Sequence, residues 1–421
     1  MRSLADWLEQ QQQSHPSAID LTLARVREVA RRMNLLSPAF KVITVAGTNG
    51  KGSTVAYLDA VLRSAGHKVG RFTSPHLTRY NERICVDGNE ASDAQLIASF
   101  ERIDAARADI TLTFFEYNAL AALELFSRAK VDFAVLEVGL GGRLDATNII
   151  DADVGIVCSI GLDHADWLGT SVEGIGREKA GIFRRGRIAI LGSEELPGSV
   201  AAHAADVGAI AVLTGRDFSA RVQGDTWDFE STVTTLRGLP LPALHGRHQV
   251  GNAANALAAL AFGNVGVELT HAAVSAGLAA VRVAGRFQIV PGDIEWILDV
   301  AHNVPAAQVL SANLKSLPRR RTLAVCGILG DKDIRGITAA LGTNIDAWFL
   351  AALEGPRAVS TAELAARLPE GARVSVQAAD VGAACRAARA AAQPGERIVV
   401  FGSFLTVGPA LEFLGPEFVR L

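Results

Sequence analysis

The stretch from Val42 to Arg83 constrains the fold of this chain more than any other. An apolar run, Val42–Val45, has the character of a buried strand, and a glycine-rich turn, GTNGKGST, follows it directly. An amphipathic helix is predicted after the turn and should end near Ala65. A buried strand that turns through glycines into a helix is typical of α/β proteins that bind phosphate groups.

The turn carries the residues that a phosphate loop needs. Glycines let backbone N–H groups close around phosphate oxygens, and the N-terminus of the following helix adds the positive end of its dipole. Lys51 supplies a mobile cation, and Ser53 or Thr54 can offer a hydroxyl to Mg²⁺. The spacing departs from the usual G-x-x-x-x-G-K-[ST], because Val45 replaces the first glycine and Gly52 follows the lysine. A turn that binds nothing is the alternative, but the strand, the lysine and the helix together favour nucleotide binding.

Length and composition limit the class of protein. A chain of 421 residues is too long for one ordinary core, so two domains are expected. A net charge of −3 argues against a sequence-wide basic field for nucleic acid. The four cysteines have no C-x-x-C spacing and are predicted to be reduced core thiols: Cys85, Cys158, Cys326 and Cys385.

Membrane and export signals are not recognisable in the sequence. The N-terminal segment, MRSLADWLEQQQQ, lacks the apolar core and the cleavage site of a signal peptide. No window approaches 18 uninterrupted apolar residues. We therefore expect a cytoplasmic protein without a membrane partner.

Strand-like and helix-like runs alternate almost to the C-terminus, which predicts an α/β fold with mainly parallel sheets. Predicted strands after the phosphate loop are Lys68–Phe72, Phe133–Val138, Val154–Ile160 and Ile188–Leu191. Predicted helices are Ile19–Leu35, Phe114–Arg128, Val172–Ile182 and His245–Phe262. Turn residues accumulate before a new strand at Ile294–Val300, so a domain boundary is placed near Val283–Arg286.

The second domain repeats a strand–helix rhythm. Its predicted strands are Thr322–Cys326, Ala347–Leu350, Val374–Val376 and Arg397–Phe401, with a helix at Val381–Ala392. This rhythm predicts a smaller, Rossmann-like, doubly wound domain. The predicted domains are residues 1–284, which carry the phosphate loop, and residues 285–421.

Polar residues follow the predicted strands of the first domain. Glu137 ends an apolar strand, and a carboxylate there is costly to bury unless it meets a cation. Asp163-His164 follows the next strand along the chain, and Ser74 lies in the loop after Phe72. Because ligands bind at the carboxyl ends of parallel strands, these residues are predicted to converge on Mg²⁺ and ATP phosphates. An ion pair of Glu137 with Arg143, and a merely structural histidine, are the alternatives.

Two further groups are ambiguous from the residues alone. Lys179 in the helix Val172–Ile182 has the character of an ordinary surface lysine. The segment from Asp299 to Asn303 closes a strand, and Asn303 ahead of Pro305 is typical of a helix cap. Three polar side chains at a strand end are also suited to hold a nucleotide or an amino acid.

Eight segments, in order, resemble the folylpolyglutamate synthase/dihydrofolate synthase family, relatives of the Mur ligases. They are AGTNGKGST (Ala46–Thr54), TSPHLTRYNERI (Thr73–Ile84), TFFE (Thr113–Glu116), LEVGLGGRLDATN (Leu136–Asn148), GLDHADWLG (Gly161–Gly169), REKAGI (Arg177–Ile182), AGRFQ (Ala284–Gln288) and LDVAHN (Leu298–Asn303). The resemblance covers essentially the whole chain and is closest to the bifunctional bacterial enzymes.

The resemblance implies a Mur-ligase-like ATPase domain followed by a glutamate ligase domain, and an ATP-dependent amide ligation. The γ-phosphoryl of ATP would move to a carboxylate of a pterin substrate, and the amine of L-glutamate would displace phosphate from the acyl phosphate. Phosphorylation converts a poor electrophile into one with a good leaving group, so the enzyme contributes mainly positioning and charge neutralisation. The implied cofactors are ATP and Mg²⁺, with two metal sites. The implied partners are dihydropteroate, reduced folates and L-glutamate, bound by a monomer without nucleic acid.

The same resemblance implies a role for each matching residue. Ser74, Glu137, His164 and Lys179 match the metal ligands, with Lys179 as a carbamylated lysine that serves the second Mg²⁺, and Lys51, Lys179 and His164 are the implied catalytic residues. ATP contacts are implied for Thr48, Asn49, Gly50, Lys51, Gly52, Ser53, Asn252, Arg286, Asp299, His302 and Asn303. The pteroate site is implied at Thr113, Phe114, Phe115, Glu116, Leu144, Asp145 and Ala146.

Three other functions compete with this reading. A monofunctional folylpolyglutamate synthase would lack the reaction with dihydropteroate. A Mur-type ligase of cell-wall precursors is disfavoured by GLDHADWLG and TFFE. A nucleotide switch that changes partners would not need Glu137, His164 and Asp299 in two domains.

Overall fold

A computed structural model of the chain describes residues 2–17 and 19–418. The chain forms two compact units. The first runs to Ala243 and resumes at Gln249–Val281, and the second takes Leu244–His248 and continues from Arg282. The chain passes into the second unit for the last time between Val281 and Arg282, near the predicted boundary at Val283–Arg286. The functional assignment of residues 1–284 and 285–421 stays a prediction.

The first unit is built on an eight-stranded sheet in the order β4-β3-β2-β5-β1-β6-β7-β8. Its strands are β1 (Lys41–Ala46), β2 (Val69–Phe72), β3 (Ile84–Val86), β4 (Asn89–Glu90), β5 (Phe133–Glu137), β6 (Val154–Val157), β7 (Ile188–Leu191) and β8 (Ile210–Leu213). Strands β2, β5, β1, β6, β7 and β8 are parallel, and β3 and β4 extend one edge in antiparallel pairing.

Strand β1 lies inside this sheet, between β5 and β6. Val45 is in register with Glu137 of β5 and with Ile156 of β6. Five of the six residues of β1 are buried, as expected for a parallel strand covered on both faces. The carboxyl ends of β5, β1 and β6 therefore lie side by side, and the loops that leave them meet at one edge of the sheet.

Ten helices accompany the strands up to the second unit. They are α1 (Leu4–Gln13), α2 (Ala24–Arg32), α3 (Lys51–Ser64), α4 (Asp93–Arg107), α5 (Phe114–Ala129), α6 (Ala165–Leu168), α7 (Val172–Ala180), α8 (Gly198–Val207), α9 (His248–Phe262) and α10 (His271–Ala280). Helix α3 begins directly at Lys51, and ten of its fourteen residues are buried. Helix α10 packs on α3, where a Cβ on Gly277 would come within 2.8 Å of the Cα of Val61.

A small antiparallel sheet that the sequence analysis did not predict follows β8. It consists of β9 (Phe218–Gln223), β10 (Thr226–Ser231) and β11 (Thr235–Pro240), in the order β11-β10-β9. Only Phe218 is buried in β9, so its apolar periodicity is weak. In β10 buried residues do alternate with more exposed ones, since Trp227 and Phe229 are buried. That alternation could have predicted this strand from the sequence.

The second unit has a six-stranded sheet in the order β12-β13-β17-β14-β15-β16, parallel except for the pairing of β12 with β13. Its strands are β12 (Gln288–Val290), β13 (Glu295–Asp299), β14 (Thr322–Cys326), β15 (Ala347–Ala351), β16 (Val374–Ala378) and β17 (Arg397–Phe401). Its helices are α11 (Val304–Ser316), α12 (Ile334–Leu341), α13 (Thr361–Ala365), α14 (Val381–Ala391) and α15 (Phe404–Leu414).

The predicted α/β class with mainly parallel sheets is confirmed in both units. Strands β7, β14 and β17 have the predicted bounds, whereas α2 begins at Ala24 rather than Ile19 and α9 at His248 rather than His245. All four cysteines are buried, and none forms a disulfide. Within residues 2–17 and 19–418, no helix combines the length and the hydropathy needed to cross a bilayer.

Candidate active site

The turn between β1 and α3 has the backbone geometry of a phosphate loop. Gly50 has φ +85° and forms the N-cap of α3, a left-handed conformation that favours glycine. The first helical hydrogen bond is donated by the N–H of Thr54 to Gly50. The N–H groups of Lys51, Gly52 and Ser53 precede it, so they have no partner within the helix and can face an anion.

Two hydroxyl groups fasten this loop to the segment after β6. Thr48 Oγ1 donates to the carbonyl of Gly161 at 3.1 Å and accepts from its N–H at 3.0 Å. Ser159 Oγ accepts from the N–H of Asn49 and donates to its carbonyl, both at 3.0 Å. Ser159 carries no signal in the sequence, because only the pairing of β1 with β6 brings it to the loop.

Two lysine ammonium groups meet at one backbone carbonyl of the loop. Lys51 Nζ donates to the carbonyl of Gly47 at 3.0 Å and to that of Thr48 at 3.2 Å. Lys179 Nζ donates to the same Gly47 carbonyl at 3.1 Å. The structure thus brings two lysine side chains together at the loop that is predicted to bind phosphate.

Lys179 is not the exposed lysine that its sequence context suggests. Its side chain is buried, with 5% of the residue exposed. Burial, together with the charge of Lys51, lowers the pKa of Lys179 from 10.5 to about 7. A neutral amine is therefore available near neutral pH, and a neutral amine is a nucleophile.

Close backbone packing holds α7 and its lysine in place. A Cβ on Gly142 would lie 2.7 Å from the carbonyl oxygen of Lys179, and one on Gly181 would lie 2.4 Å from the Cβ of Arg143. Arg143 also donates Nε–H to Glu178 at 2.9 Å. Arg143 therefore forms an ion pair with Glu178, a neighbour of Lys179 in α7.

Glu137 ends β5 with a buried carboxylate, 4% exposed, which accepts a hydrogen bond from the N–H of Ser74 at 3.2 Å. The two residues follow neighbouring parallel strands, β5 and β2. His164 follows β6, the next strand along the chain, but β5 and β6 are not neighbours in the sheet, because β1 lies between them. The strands β5 and β6, which are consecutive among the strands of the chain, thus lie on either side of the earlier strand β1.

His164 stands on a constrained turn after β6. Its φ is +54°, and its backbone N–H donates to the side chain of Asp163 at 2.9 Å. The side chain is 36% exposed, with Nε2 at 4.0 Å from the Asp163 carboxylate. Asp163 in turn acts electrostatically on Lys179.

These residues suit a divalent metal that also binds phosphate. A buried carboxylate, a serine beside it and an accessible imidazole offer few protein ligands, as expected for Mg²⁺ that keeps waters and phosphate oxygens. No group of three His, Cys, Asp or Glu residues in the part of the chain that the structure describes forms a metal cluster by itself.

Replacing Glu137 with glutamine should raise the Mg²⁺ concentration that gives half-maximal turnover by at least about tenfold, the loss that even an outer-shell partner of a metal causes. The change keeps the shape of the side chain and removes its charge. Mg²⁺ titration of the rate, with Mn²⁺ binding followed by electron paramagnetic resonance, measures the effect.

Glu124→Gln is the matched control, since Glu124 of α5 is also buried but pairs with Arg102 of α4 at 2.6 Å. It should lower stability without changing the Mg²⁺ dependence. If both variants respond to Mg²⁺ like the parent protein, Glu137 is not a metal ligand.

The first predicted pteroate segment, Thr113–Glu116, begins α5. Thr113 and Glu116 form a capping box: the N–H of Thr113 donates to Glu116 at 2.7 Å, and that of Glu116 to Thr113 Oγ1 at 3.2 Å. Arg25 also donates to the Glu116 carboxylate, at 3.2 Å. This T-x-x-E signature was readable from sequence, and the side chains of Phe114 and Phe115 take no part in the capping bonds.

The second predicted pteroate segment, Leu144–Ala146, is organised by its aspartate. The Asp145 carboxylate accepts from the N–H groups of Gly139, Leu140 and Thr147 and from the Thr147 hydroxyl, at 2.7–3.0 Å. Burial nevertheless raises the pKa of Asp145. Its contacts shape the loop after β5, and a direct contact of Asp145 with substrate stays a prediction.

Arg83 lies in the same region and was not singled out from the sequence. Its guanidinium is stacked over the rings of Phe114, at 5.4 Å, and Tyr80, at 5.8 Å. Its Nε–H donates to Nδ1 of His76 at 2.7 Å. Burial, then the charge of Arg83, lower the pKa of His76 to about 4, so the imidazole is a neutral acceptor at neutral pH.

The remaining predicted ATP contacts are divided between the units. Asn252 of α9 lies in the first unit against the loop glycine Gly50, and Arg286, Asp299, His302 and Asn303 lie in the second. Asp299 accepts from the N–H groups of Phe287 and Ala301, at 2.9 and 2.8 Å.

Within the second unit, Asn303 caps α11 through the N–H of Ala306, as the helix-cap alternative predicted. The Arg286 guanidinium lies over the ring of Phe404 at 5.7 Å, and His302 lies 6.1 Å from the same ring.

Comparisons with known proteins cover nearly the whole chain. The model of the Mur ligase middle domain matches residues 45–262, and that of the Mur ligase glutamate ligase domain matches residues 285–404. A dihydrofolate synthase/folylpolyglutamate synthase of Escherichia coli K12 is 47% identical over 98% of this chain and 95% of its own length. One from Mycobacterium tuberculosis is 34% identical over 95% and 91%.

Solved structures agree with the sequence relatives. E. coli FolC in complex with DHPP and ADP superimposes with a TM-score of 0.92 at 46% identity, covering 98% of each chain. A bifunctional folylpolyglutamate synthase/dihydrofolate synthase with Mn, AMPPNP and L-glutamate bound has a TM-score of 0.91 at 44% identity, again covering 98% of each chain.

Proposed function

This chain belongs to the dihydrofolate synthase/folylpolyglutamate synthase family of Mur ligases, and from that premise we propose how its residues perform the ligation. The protein is an ATP-dependent ligase that joins L-glutamate to dihydropteroate and to reduced folates. It uses ATP and a divalent metal ion. The observation that carries the residue assignment is the meeting of Lys51 and Lys179 at the Gly47 carbonyl, beside the strand end that bears Glu137.

The phosphate loop and Lys51 hold the triphosphate. The N–H groups at the start of α3 and the Lys51 ammonium would neutralise the β- and γ-phosphates while the γ-phosphoryl moves to the substrate carboxylate, which yields an acyl phosphate and ADP. The amine of L-glutamate then attacks the acyl carbon, the C–O bond to phosphate breaks, and the amine proton leaves to solvent.

Ser74, Glu137, His164 and Lys179 would hold the metal ions. A bound Mg²⁺ supplies charge neutralisation at the phosphates. The residues of this chain supply its position: the N–H of Ser74 fixes the Glu137 carboxylate, and the turn at Asp163 presents His164.

Lys179 is proposed to carry the second anionic ligand as a carbamate. Its neutral amine would add CO₂, forming a new N–C bond and releasing one proton, so that an ammonium that repels Mg²⁺ becomes an anion that binds it. Burial, which favours the neutral amine, supports this assignment.

The pterin is proposed to lie against Phe114 and Phe115. Phe115 packs on the loop after β5, since a Cβ on Gly139 would come within 2.5 Å of its ring, and its centroid lies 5.8 Å from that of Phe72. A pterin ring bound against Phe115 would therefore reach the loop that follows Glu137. We further propose that the protein is a cytoplasmic monomer without nucleic-acid or membrane partners.

Product analysis tests the two reactions separately. The purified protein is supplied with ATP, Mg²⁺ and L-glutamate and with either dihydropteroate or a reduced folate, and mass spectrometry identifies the products. Glutamate should be added to both acceptors, with ATP consumed only when an acceptor is present. Addition to the reduced folate alone would indicate a monofunctional synthase, and ATP turnover without acceptor would favour a nucleotide switch.

Phe115→Ala should depress the reaction with dihydropteroate more than that with reduced folate. Truncating an aromatic ring that contacts a substrate removes about 1–3 kcal/mol, or roughly a tenfold to hundredfold loss in kcat/KM. Asp145→Asn is expected to affect both reactions, since it disturbs the whole loop after β5. Equal losses for both acceptors in Phe115→Ala would place the dihydropteroate ring elsewhere.

A further inference from the structure

A chain of three buried polar side chains leads from the middle of α3 to the phosphate loop. Tyr57, Gln249 and Asn252 are 0%, 2% and 9% exposed. The Tyr57 hydroxyl donates to Gln249 Oε1 at 3.4 Å, and Asn252 Nδ2 donates to the same oxygen at 3.0 Å. None of the roles assigned above explains why a tyrosine hydroxyl and a glutamine are buried here.

The chain ends against the loop. A Cβ on Gly50 would lie 2.6 Å from Asn252 Oδ1, so the amide oxygen of Asn252 directly backs the glycine that starts α3. Gly50, with φ +85°, also precedes Lys51. A change in the Asn252 amide therefore acts on the backbone that positions both the loop N–H groups and the lysine.

The direction of the hydrogen bonds fixes the orientation of each amide. Gln249 Oε1 accepts from both the Tyr57 hydroxyl and Asn252 Nδ2, so two donors hold the glutamine oxygen in this orientation. Asn252 consequently presents its NH₂ to Gln249 and its oxygen to Gly50. Without the hydroxyl, Gln249 loses one of the two donors that orient its oxygen, so the amides of Gln249 and Asn252 are less firmly oriented against the loop.

We propose that Tyr57 and Gln249 are positioning residues for ATP: they fix the Asn252 amide against Gly50 and thereby hold the phosphate loop in its binding conformation. The inference rests on the proposed ATP site. We expect the effect on nucleotide affinity, because the three side chains lead to Gly50 at the start of α3.

Tyr57→Phe is the first test, because it removes only the hydroxyl. Loss of one hydrogen bond of this kind corresponds to roughly 0.5–1.5 kcal/mol, or about a twofold to tenfold change. We expect KM for ATP, and the Kd for ADP measured by calorimetry, to rise by about that factor, with kcat close to that of the parent protein.

Tyr117→Phe is the matched control, since Tyr117 is equally buried in the first unit and its hydroxyl donates to Asp104, also at 3.4 Å. It should lower the melting temperature as Tyr57→Phe does, without changing the affinity for ADP. If Tyr57→Phe and Tyr117→Phe change the affinity for ADP equally, the effect is explained by general destabilisation, and the proposal is overturned.

Gln249 provides a rescue test that a purely structural role would not satisfy. Gln249→Glu keeps an oxygen that accepts from both neighbours, whereas Gln249→Leu removes it. ADP should bind more tightly to Gln249→Glu than to Gln249→Leu, with circular dichroism confirming that each is folded. If Gln249→Glu does not fold, the tyrosine pair carries the test alone.

Unchanged ADP affinity in folded Tyr57→Phe and Gln249→Leu overturns the inference and leaves the ligase assignment intact. Failure of the parent protein to bind ADP would overturn the ATP site itself, so the two failures are distinguishable.

Discussion

Replacing Lys51 with alanine is expected to lower the ligation rate by about a thousandfold or more without unfolding the protein. Loss of a single preorganised donor to a transition state typically costs about 10²–10³ in kcat, and Lys51 carries a full charge. The side chain is half-buried and donates to the carbonyls of Gly47 and Thr48 within its own loop. No core packing is lost with it.

Lys68→Ala is the matched control, because the Lys68 ammonium also donates to a backbone carbonyl, that of Ala129 at 2.7 Å, on the surface of the same unit. Steady-state ligation and circular dichroism compare the two variants. Near-normal turnover in folded Lys51→Ala would remove this lysine from the mechanism. The variant should also raise the pKa of Lys179, because the charge of Lys51 helps to lower it.

Lys179→Ala is expected to be inactive, and a small carboxylate such as acetate should restore part of the activity. The reason is that the proposed carbamate supplies an anionic ligand, which a soluble carboxylate can imitate in the space that the side chain vacates. Removing CO₂ and bicarbonate from the parent protein should give the same loss, reversed on adding bicarbonate. An active Lys179→Ala variant, together with an unmodified Lys179 amine in a crystal structure, would contradict the proposal.

The pKa of Lys179 also predicts how stability depends on pH in the absence of CO₂. Between about 7, the pKa in the folded protein, and 10.5, the ordinary value, the unfolded chain binds more protons than the folded one. Stability therefore rises with pH through this window, by up to about 1.4 kcal/mol per pH unit for one group. Urea unfolding of the parent protein and of Lys179→Met at pH 7 and pH 9 isolates this contribution, which should be absent from the variant.

The phosphate loop and its strand could be predicted from sequence because their signals are local. The apolar run before the loop, the glycines within it and the helix after it are all encoded in consecutive residues, and the observed β1 and α3 match them closely. The same holds for the strands of the second unit, where β14 and β17 have the predicted bounds.

The burial of Lys179 could not be predicted from its neighbours, because it is produced at long range. Two glycines, Gly142 and Gly181, let the loop after β5 approach the end of α7 at backbone distance. The family resemblance identified this lysine where the pattern of helix α7 alone did not. The position of β1 between β5 and β6 is likewise a property of sheet order that no local pattern encodes.

The order of strands around β1 also determines when this protein can first fold during synthesis. β1 ends at Ala46, but its neighbours β5 and β6 begin only at Phe133 and Val154, and α10, which packs on α3, ends at Ala280. A nascent chain therefore carries a finished phosphate-loop sequence before either strand that flanks β1 in the sheet has been made. Such long-range pairing slows folding and leaves apolar strand edges open to aggregation. ATP can therefore stabilise the first unit only after the strands around β1 have been made and paired, because a ligand stabilises the folded state that it binds.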